Sequence, residues 1–116
     1  MNFQRGDLIE LDLSPSRGHE QTKRRYVVVL SNDDFNRRCN LRIVCPISST
    51  DASFPLHIKI DGAVSDPAGY PSSITGFAQI EQVKSLDLDA RDAEYAGKIA
   101  PSKVKRMTEL LLACLL

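Results

Sequence analysis

The chain has 116 residues, 42% of them hydrophobic, and its 15 Lys and Arg residues balance its 15 Asp and Glu residues. This length and apolar content predict one domain, residues 1–116, near the size at which a single core becomes self-sufficient. The apolar run at residues 110–116 is far below the ~20 residues needed to cross a bilayer, which excludes a membrane span there. Residues 1–6 are polar with no apolar segment behind them, which excludes a signal peptide and predicts a cytoplasmic protein.

The first elements predicted along the chain are two strands and a short helix. Residues 7–13 (DLIELDL) alternate apolar and acidic side chains, as a strand with one wet face does. Residues 26–31 (YVVVLS) form a continuous apolar run that predicts a strand buried on both faces. Residues 32–38 (NDDFNRR) predict one helical turn capped by Asn32 or Asp33.

The middle of the chain predicts further short strands. Residues 41–48 (LRIVCPIS) predict a third strand, in which Pro46 favours a sheet edge or a bulge near the strand's end. Residues 55–60 (PLHIKI) alternate again and precede a turn-rich stretch. Residues 74–86 (ITGFAQIEQVKSL) predict one long bent strand or two short ones, with Gly76 at the bend.

One substantial helix is predicted at the end of the chain, with Pro101 in its first turn or Ser102 as its cap. The apolar stripe of this helix comprises Val104, Met107, Leu111, Cys114 and Leu115. Leu110, Leu112 and Leu116 widen the apolar surface, so the helix needs cover on more than one side. That cover comes from its own sheet and from either a second subunit or a groove of the same chain. Short strands with a terminal helix predict a mainly β fold of the small SH3-like barrel type.

The three cysteines and two histidines form no metal-binding or disulfide pattern. Cys39, Cys45 and Cys114 have neither C-x-x-C nor Cys/His spacing, which predicts buried thiols and no metal site. His57 lies between Leu56 and Ile58 in an alternating stretch, so we expect it on the wet face of a strand.

Charge is distributed unevenly along the chain although the net charge is zero. Seven cations lie between residues 13 and 48, and most acidic residues lie in the second half. This distribution predicts a basic footprint on one face, which is the least that binding of a phosphate backbone requires.

Residues 5–33 (RGDLIELDLSPSRGHEQTKRRYVVVLSND), with the later FNRR, VCPIS, ITGFAQIEQVKSLD and GKIAPSKV, resemble the MazF/PemK/Kid family of bacterial toxins. The match is spread over nearly the whole chain in the family's order. It implies a homodimeric SH3-like barrel of the CcdB/PemK type, built of antiparallel strands with a C-terminal helix, that cleaves single-stranded RNA such as mRNA at short motifs without metal or cofactor and so inhibits growth. It also implies a cognate antitoxin whose flexible acidic C-terminal segment occupies the substrate groove.

The resemblance implies catalytic roles for five residues. Arg25 matches the family's essential Arg at the entry to the second strand, and Ser48 stands where the family usually has a Thr. Glu20, in the GHEQ motif, is a candidate base, and His19 beside it matches a supporting acid–base position. Glu81 matches an acidic position that is also proposed as the base. The choice between Glu20 and Glu81 stays open at this point.

Further polar residues are expected to contact RNA, and the family's pattern is not kept everywhere. The predicted RNA-binding residues are Gln21, Lys23, Arg24, Arg37, Arg38 and Gln79. The junction at residues 22–26 (TKRRY) lacks the family's Gly and has Tyr in place of Pro. Gln79 stands where some members carry an Arg proposed as the general acid, a role that an amide cannot take.

Two alternatives to this assignment follow from the same residues. A register shifted by one residue makes Arg24 the functional cation instead of Arg25. A non-catalytic toxin of the same fold, either resembling the gyrase poison CcdB or binding only its antitoxin, is the alternative function.

Overall fold

The computed structural model describes residues 2–13, 24–51 and 53–116. Within these ranges the chain forms one antiparallel sheet and two α-helices. The strands are β1 (Asp7–Asp12), β2 (Arg24–Val29), β3 (Arg42–Ser48), β4 (His57–Lys59), β5 (Val64–Ser65), β6 (Phe77–Gln79), β7 (Lys84–Leu86) and β8 (Glu94–Ile99). The helices are α1 (Asp33–Arg38) and α2 (Pro101–Leu115).

The sheet has the strand order β4-β6-β3-β2-β1-β8-β5. β6 pairs with the carboxyl end of β3, and β7 pairs with the amino end of the same strand. It curls into a half-barrel against α2, which confirms the predicted mainly β, barrel-like fold with a C-terminal helix. β1, β2 and β3 are central, so each is paired with strands on both of its edges. The amino end of β2 and the carboxyl end of β3 therefore lie side by side on a rigid support.

β2 is buried on both faces, as its continuous apolar run predicts. Val28 packs into the cluster that contains Met107 of α2, whereas Val27 and Val29 pack into a second cluster on the other face with Ile9. Alternate side chains of a strand point to opposite faces, so one Val-rich run serves both clusters.

Pro46 lies in an interior strand, so the predicted edge position is wrong. The carboxyl end of β3 pairs with β6 through Ile47, and its amino end pairs with β7 through Val44. Pro46 falls between the residues that pair with these two strands, so among the described residues the side of β3 that faces β6 and β7 makes no ladder pair at Pro46, where a proline without an N–H is tolerated. The register between β2 and β3 runs through Pro46 without a bulge, so the alternative prediction of a bulge is wrong as well.

Residues 74–86 form two short strands, the second of the two predicted alternatives. A 3₁₀ turn, Ile80–Gln82, separates β6 from β7. Gly76 precedes β6 with a φ of 139°, and a Cβ there would lie 2.8 Å from the Ser48 carbonyl oxygen. Only glycine fits this close approach.

Both helices begin close to the predicted residues. The Asn32 side chain accepts a hydrogen bond from the Phe35 amide at 2.8 Å, which makes Asn32 the cap of α1. Pro101 occupies the first turn of α2 and Ala100 precedes it, so the predicted capping role of Ser102 is wrong. Proline lacks an N–H, and this costs nothing in the first turn because the first N–H groups of a helix have no intrahelical acceptor.

β8 was not predicted, although it supplies the second partner of β1. Its sequence, EYAGKI, has a glycine in the middle and no clear alternation. Gly97 has a φ of 140°, and a Cβ there would lie 2.1 Å from the Ser65 carbonyl oxygen of β5. Close backbone approach accounts for a glycine in a strand that its composition disfavours.

The expectation of three buried thiols holds only for Cys45. Cys39 is half-buried, and Cys114 is exposed near the end of α2. Cys114 lies among other exposed residues at the end of α2, where Leu112, Leu115 and Leu116 are also exposed. In the parts of the chain described here, no helix combines the length and apolar character that a membrane span requires.

Candidate active site

Arg25 and Ser48 lie on adjacent strands at one end of the sheet. The ladder between β2 and β3 ends at the pair Tyr26 and Ile47, so Arg25 and Ser48 are the next residues beyond that pair. Both side chains line a single open depression with a volume of about 340 Å³. We call it the site depression. Its described lining residues are Leu13, Arg25, Pro46, Ile47, Ser48, Ser49, Thr50, Gln79, Gln82 and Lys84.

The site depression is positively charged. Its described lining includes two cations, Arg25 and Lys84, and no carboxylate. Amide and hydroxyl groups supply the remaining polar atoms, from Gln79, Gln82 and Ser48 among others. Two cations beside several neutral hydrogen-bonding groups suit a phosphate with its neighbouring sugar and base.

The Ser48 hydroxyl is oriented by its own strand end. The Thr50 amide donates to Ser48 Oγ at 3.1 Å. A hydroxyl that accepts one hydrogen bond still has its own hydrogen to donate. The arrangement leaves Ser48 a donor in a depression that also holds a guanidinium group.

Arg24 is held on the other side of β2. Its Nε lies 3.2 Å from Glu10 Oε1, and its Nη2 donates to the carbonyl oxygens of Glu10 at 2.9 Å and Asp92 at 3.1 Å. Adjacent residues of a strand face opposite ways, so Arg24 and Arg25 cannot share one site. The geometry therefore favours Arg25 over the alternative register with Arg24.

The remaining described cations of the predicted footprint lie elsewhere. Arg37 and Arg38 are on α1, beyond the far end of β2 from Arg25, and both pair with Asp34. Arg42 is buried and donates through Nε to the Phe3 carbonyl oxygen at 3.1 Å. None of these three residues lines the site depression, and the RNA-binding role of Arg37 and Arg38 stays a prediction.

Glu81 does not line the site depression as described, although Gln79 and Gln82 on either side of it do. Its Oε2 lies 2.9 Å from Nε2 of His57. The His57 side chain is only 3% exposed, so the prediction of a solvent-facing histidine is wrong. The ring turns inward because Glu81, the Asp51 carbonyl and the Phe54 ring surround it.

The electrostatics around this pair follow from these contacts. The hydrogen bond to Glu81 raises the pKa of His57, burial lowers it in part, and the bond to the Asp51 carbonyl raises it again. Burial, with a smaller contribution from the Glu81 charge, raises the pKa of the nearby Cys45 thiol to about 12. Cys45 is consequently an inert core thiol rather than a nucleophile.

Four predicted site residues, His19, Glu20, Gln21 and Lys23, lie outside the described residues. Leu13 and Arg24 flank the intervening segment, and Leu13 lines the site depression.

Sequence reasoning missed several residues of this region. Lys84, Gln82 and Thr50 line the depression, and His57 binds Glu81. Gln82 and Lys84 belong to the EQVKS stretch that carries part of the resemblance, so that motif was the available signal. No local pattern pairs His57 with a residue 24 positions away.

Two further observations concern a second cavity and the arrangement of metal-binding side chains. A larger cavity, about 1030 Å³, opens between residues 62–71 and the start of α2, and none of the described predicted site residues lines it. Across the described ranges, no group of three or more His, Cys, Asp or Glu side chains is arranged to hold a metal ion.

Comparison with known proteins gives a consistent answer. A family model described as a PemK-like, MazF-like toxin of type II toxin–antitoxin systems matches residues 4–115. The endoribonuclease toxin MazF of Escherichia coli K12 is 31% identical over 100 residues, which cover 86% of this chain and 82% of that protein.

Solved structures show the same similarity. A MazE–MazF crystal structure from Deinococcus radiodurans (Form-II) has 26% sequence identity and a TM-score of 0.80, covering 99% of this chain and 96% of that chain. A mycobacterial endoribonuclease in complex with its cognate antitoxin has a TM-score of 0.71 at 19% identity, covering 98% and 93% of the two chains. At that identity the second likeness concerns the fold alone.

Proposed function

The chain belongs to the family of PemK-like, MazF-like toxins of type II toxin–antitoxin systems, and on that premise we propose that it is an endoribonuclease toxin that cleaves single-stranded RNA. The observation that carries the proposal is the placement of Arg25 and Ser48 in one positively charged depression. The relatives matched over most of the chain are named endoribonucleases, and no observation favours the alternative of a non-catalytic toxin.

The proposed reaction is attack of a ribose 2′-OH on the adjacent phosphate. A base removes the 2′-OH proton, the 2′-oxygen bonds to phosphorus, and the bond from phosphorus to the 5′-oxygen breaks as that oxygen takes up a proton. Arg25 stabilises the charge on the crowded phosphate, and Ser48 donates a hydrogen bond to a phosphate oxygen. The nucleophile belongs to the substrate, so the step needs neither metal-bound water nor a cofactor.

We assign the base to Glu20 rather than Glu81, with His19 as the proton donor to the leaving oxygen. Glu81 is hydrogen-bonded to the His57 ring and does not line the site depression. Glu20→Gln should lower kcat by about 10²-fold, in the range that general bases contribute. Glu81→Gln should raise KM with a smaller effect on kcat, and the reverse ranking would return Glu81 to the role of base.

The partners we propose are an antitoxin and a second copy of the chain. Arg25 and Lys84 give the site depression a charge that complements an acidic antitoxin segment, and related structures contain MazE with MazF. The exposed side chains of Leu112, Leu115 and Leu116 give α2 an apolar end that a second subunit would cover in a homodimer. Gln21 and Lys23 are proposed RNA contacts, and we propose that the protein acts on mRNA in the cytoplasm.

The test is cleavage of a long RNA by the purified protein in EDTA, with mapping of the cuts and of their chemical ends. We expect a 2′,3′-cyclic phosphate and a 5′-hydroxyl at each cut. A single 2′-deoxy substitution on the 5′ side of a mapped cut should block cleavage there while RNA binding remains. Binding should weaken as salt is added, because phosphate contacts release counterions. A strict requirement for magnesium, or cleavage at the deoxy-substituted position, would contradict the mechanism.

A further inference from the structure

His57 lies in a buried polar contact that the proposed reaction does not use. Its ring nitrogens face two oxygens from different segments: Nδ1 faces the Asp51 carbonyl oxygen, and Nε2 lies 2.9 Å from Glu81 Oε2. The Phe54 ring packs against it with 5.2 Å between ring centroids. The ring therefore connects the chain after β3, strand β4 and the 3₁₀ turn that holds Glu81.

Both oxygens that face the ring are hydrogen-bond acceptors. A carbonyl oxygen and an ionised carboxylate have no hydrogen to donate, and a neutral imidazole has only one N–H. Both contacts are satisfied together only when the ring carries two N–H groups, which is the imidazolium form. The two contacts therefore favour the imidazolium form of the ring, with Glu81 as the hydrogen-bond partner of Nε2.

Asp51 directly follows residues that line the site depression. Asp51 follows Thr50, whose amide donates to Ser48 Oγ at 3.1 Å. Ser48, Ser49 and Thr50 all line the depression. The hydrogen bond from His57 to the Asp51 carbonyl oxygen therefore fixes the short segment that orients the Ser48 hydroxyl.

We propose that the His57 imidazolium is a positioning residue that orients Ser48 through Asp51 and Thr50, so that RNA cleavage weakens when the ring loses its second proton. This inference rests on the proposed function of the site depression. His57 touches no RNA in this scheme, and its effect is transmitted entirely through the segment it holds.

The groups around the ring account for the charged form. Glu81 from the 3₁₀ turn and Asp51 from the segment after β3 both raise the pKa of His57, against the opposing effect of burial. The Asp51 carboxylate lies farther away, with Oδ1 3.9 Å from Nδ1. Burial and the Glu81 charge raise the pKa of Cys45 on β3 to about 12. This thiol therefore stays neutral while His57 titrates.

The decisive experiment is a double-mutant cycle between His57→Gln and Ser48→Ala, with kcat/KM measured on a short RNA that contains one mapped cut. His57→Gln keeps one hydrogen-bond donor but cannot hold both oxygens. It should lower kcat/KM about tenfold in the wild-type background, the equivalent of one charge-assisted hydrogen bond. In the Ser48→Ala background it should lower kcat/KM less than about twofold, because the group it positions is already gone.

A control variant and a spectroscopic measurement accompany the cycle. Lys59→Gln changes an exposed side chain two residues along the same strand and should show no such coupling to Ser48→Ala. The chain has two histidines, so the imidazole NMR signals that His57→Gln removes are those of His57. Nitrogen-15 spectra should show both His57 nitrogens protonated at pH 7, and the alkaline loss of kcat/KM attributable to His57 should follow their titration.

The outcomes separate the two proposals. Equal effects of His57→Gln in both backgrounds would assign His57 a general structural role and overturn the positioning proposal. A neutral His57 ring at pH 7 would overturn it even where the variant fails to fold. Absence of RNA cleavage by the wild-type protein would refute the proposed function, and the positioning proposal with it.

Discussion

Arg24 and Arg25 are consecutive residues of β2, yet their side chains lie on opposite sides of the sheet. Arg24 Nε lies 3.2 Å from Glu10 Oε1, whereas Arg25 lines the site depression with Ser48. The two-residue period of a strand imposes this division. The pair consequently provides a matched comparison in which charge and sequence position are nearly the same and only the facing side differs.

Arg25→Ala should abolish RNA cleavage and growth inhibition while the protein stays folded. Loss of one preorganised charge donor costs on the order of 10²–10³ in rate. Arg24→Ala is the control, and it should retain most cleavage, because its partners are Glu10 and Asp92. An active Arg25→Ala beside an inactive Arg24→Ala would show that the functional register is shifted by one residue.

Ser48→Thr should retain activity, since it keeps the hydroxyl and adds only a methyl group in a depression open to solvent. Ser48→Ala should lower kcat/KM by about 10- to 100-fold, because it removes the hydrogen-bond donor beside Arg25. The measurement is cleavage of a short RNA by each purified variant. Wild-type activity in Ser48→Ala would remove this residue from the site.

The apolar end of α2 should be covered by a second chain. Light scattering should report a mass near twice the 12.9 kDa of the chain. Leu115, which is 69% exposed, is the residue to change: Leu115→Glu places a charge in the proposed interface and should yield a monomer. Arg106→Gln, an exposed change on the same helix, should leave the dimer intact. A wild-type protein that is monomeric at micromolar concentration would refute the assembly.

The His57 contacts also predict how stability depends on pH. The folded protein raises the pKa of His57 above its ordinary value of about 6.5, chiefly through the hydrogen bond to Glu81. Stabilisation from this linkage is complete below the unfolded pKa and is lost as the pH rises through the folded pKa. The urea midpoint of the wild-type protein should thus fall from pH 6 towards pH 9, relative to that of His57→Gln. Parallel pH profiles for the two proteins would contradict the linkage.

Gly97→Ala should be the more damaging of two otherwise similar glycine changes. Gly97 has a φ of 140° and its Cβ would lie 2.1 Å from the Ser65 carbonyl oxygen, so the substitution adds a backbone clash to strain. Urea unfolding should show a loss of about 3 kcal/mol. Gly62→Ala, with a φ of 75° and nothing within 4 Å of the added Cβ, should cost only about 1 kcal/mol. Equal losses would mean that β5 moves away from β8 without penalty.

The sequence by itself determined the elements whose signals are local. The continuous Val-rich run predicted β2 with both faces buried. The predicted cap of α1 was Asn32 or Asp33 and is Asn32, and the predicted start of α2 was Pro101 or Ser102 and is Pro101. Side-chain period and helix-end chemistry act within a few residues, so they are legible without knowledge of the fold. The family motifs added Arg25 and Ser48, which the structure brings into one depression.

Tertiary structure alone decided the contacts that join distant segments. β8 was missed because Gly97 breaks its pattern, and only the close approach of Ser65 explains that glycine. His57 was expected to face solvent because it alternates with apolar neighbours, yet it is buried against Glu81, 24 residues away. Burial of a polar side chain is governed by the partner that satisfies it, and that partner is set by how strands pair across the sheet rather than by local sequence.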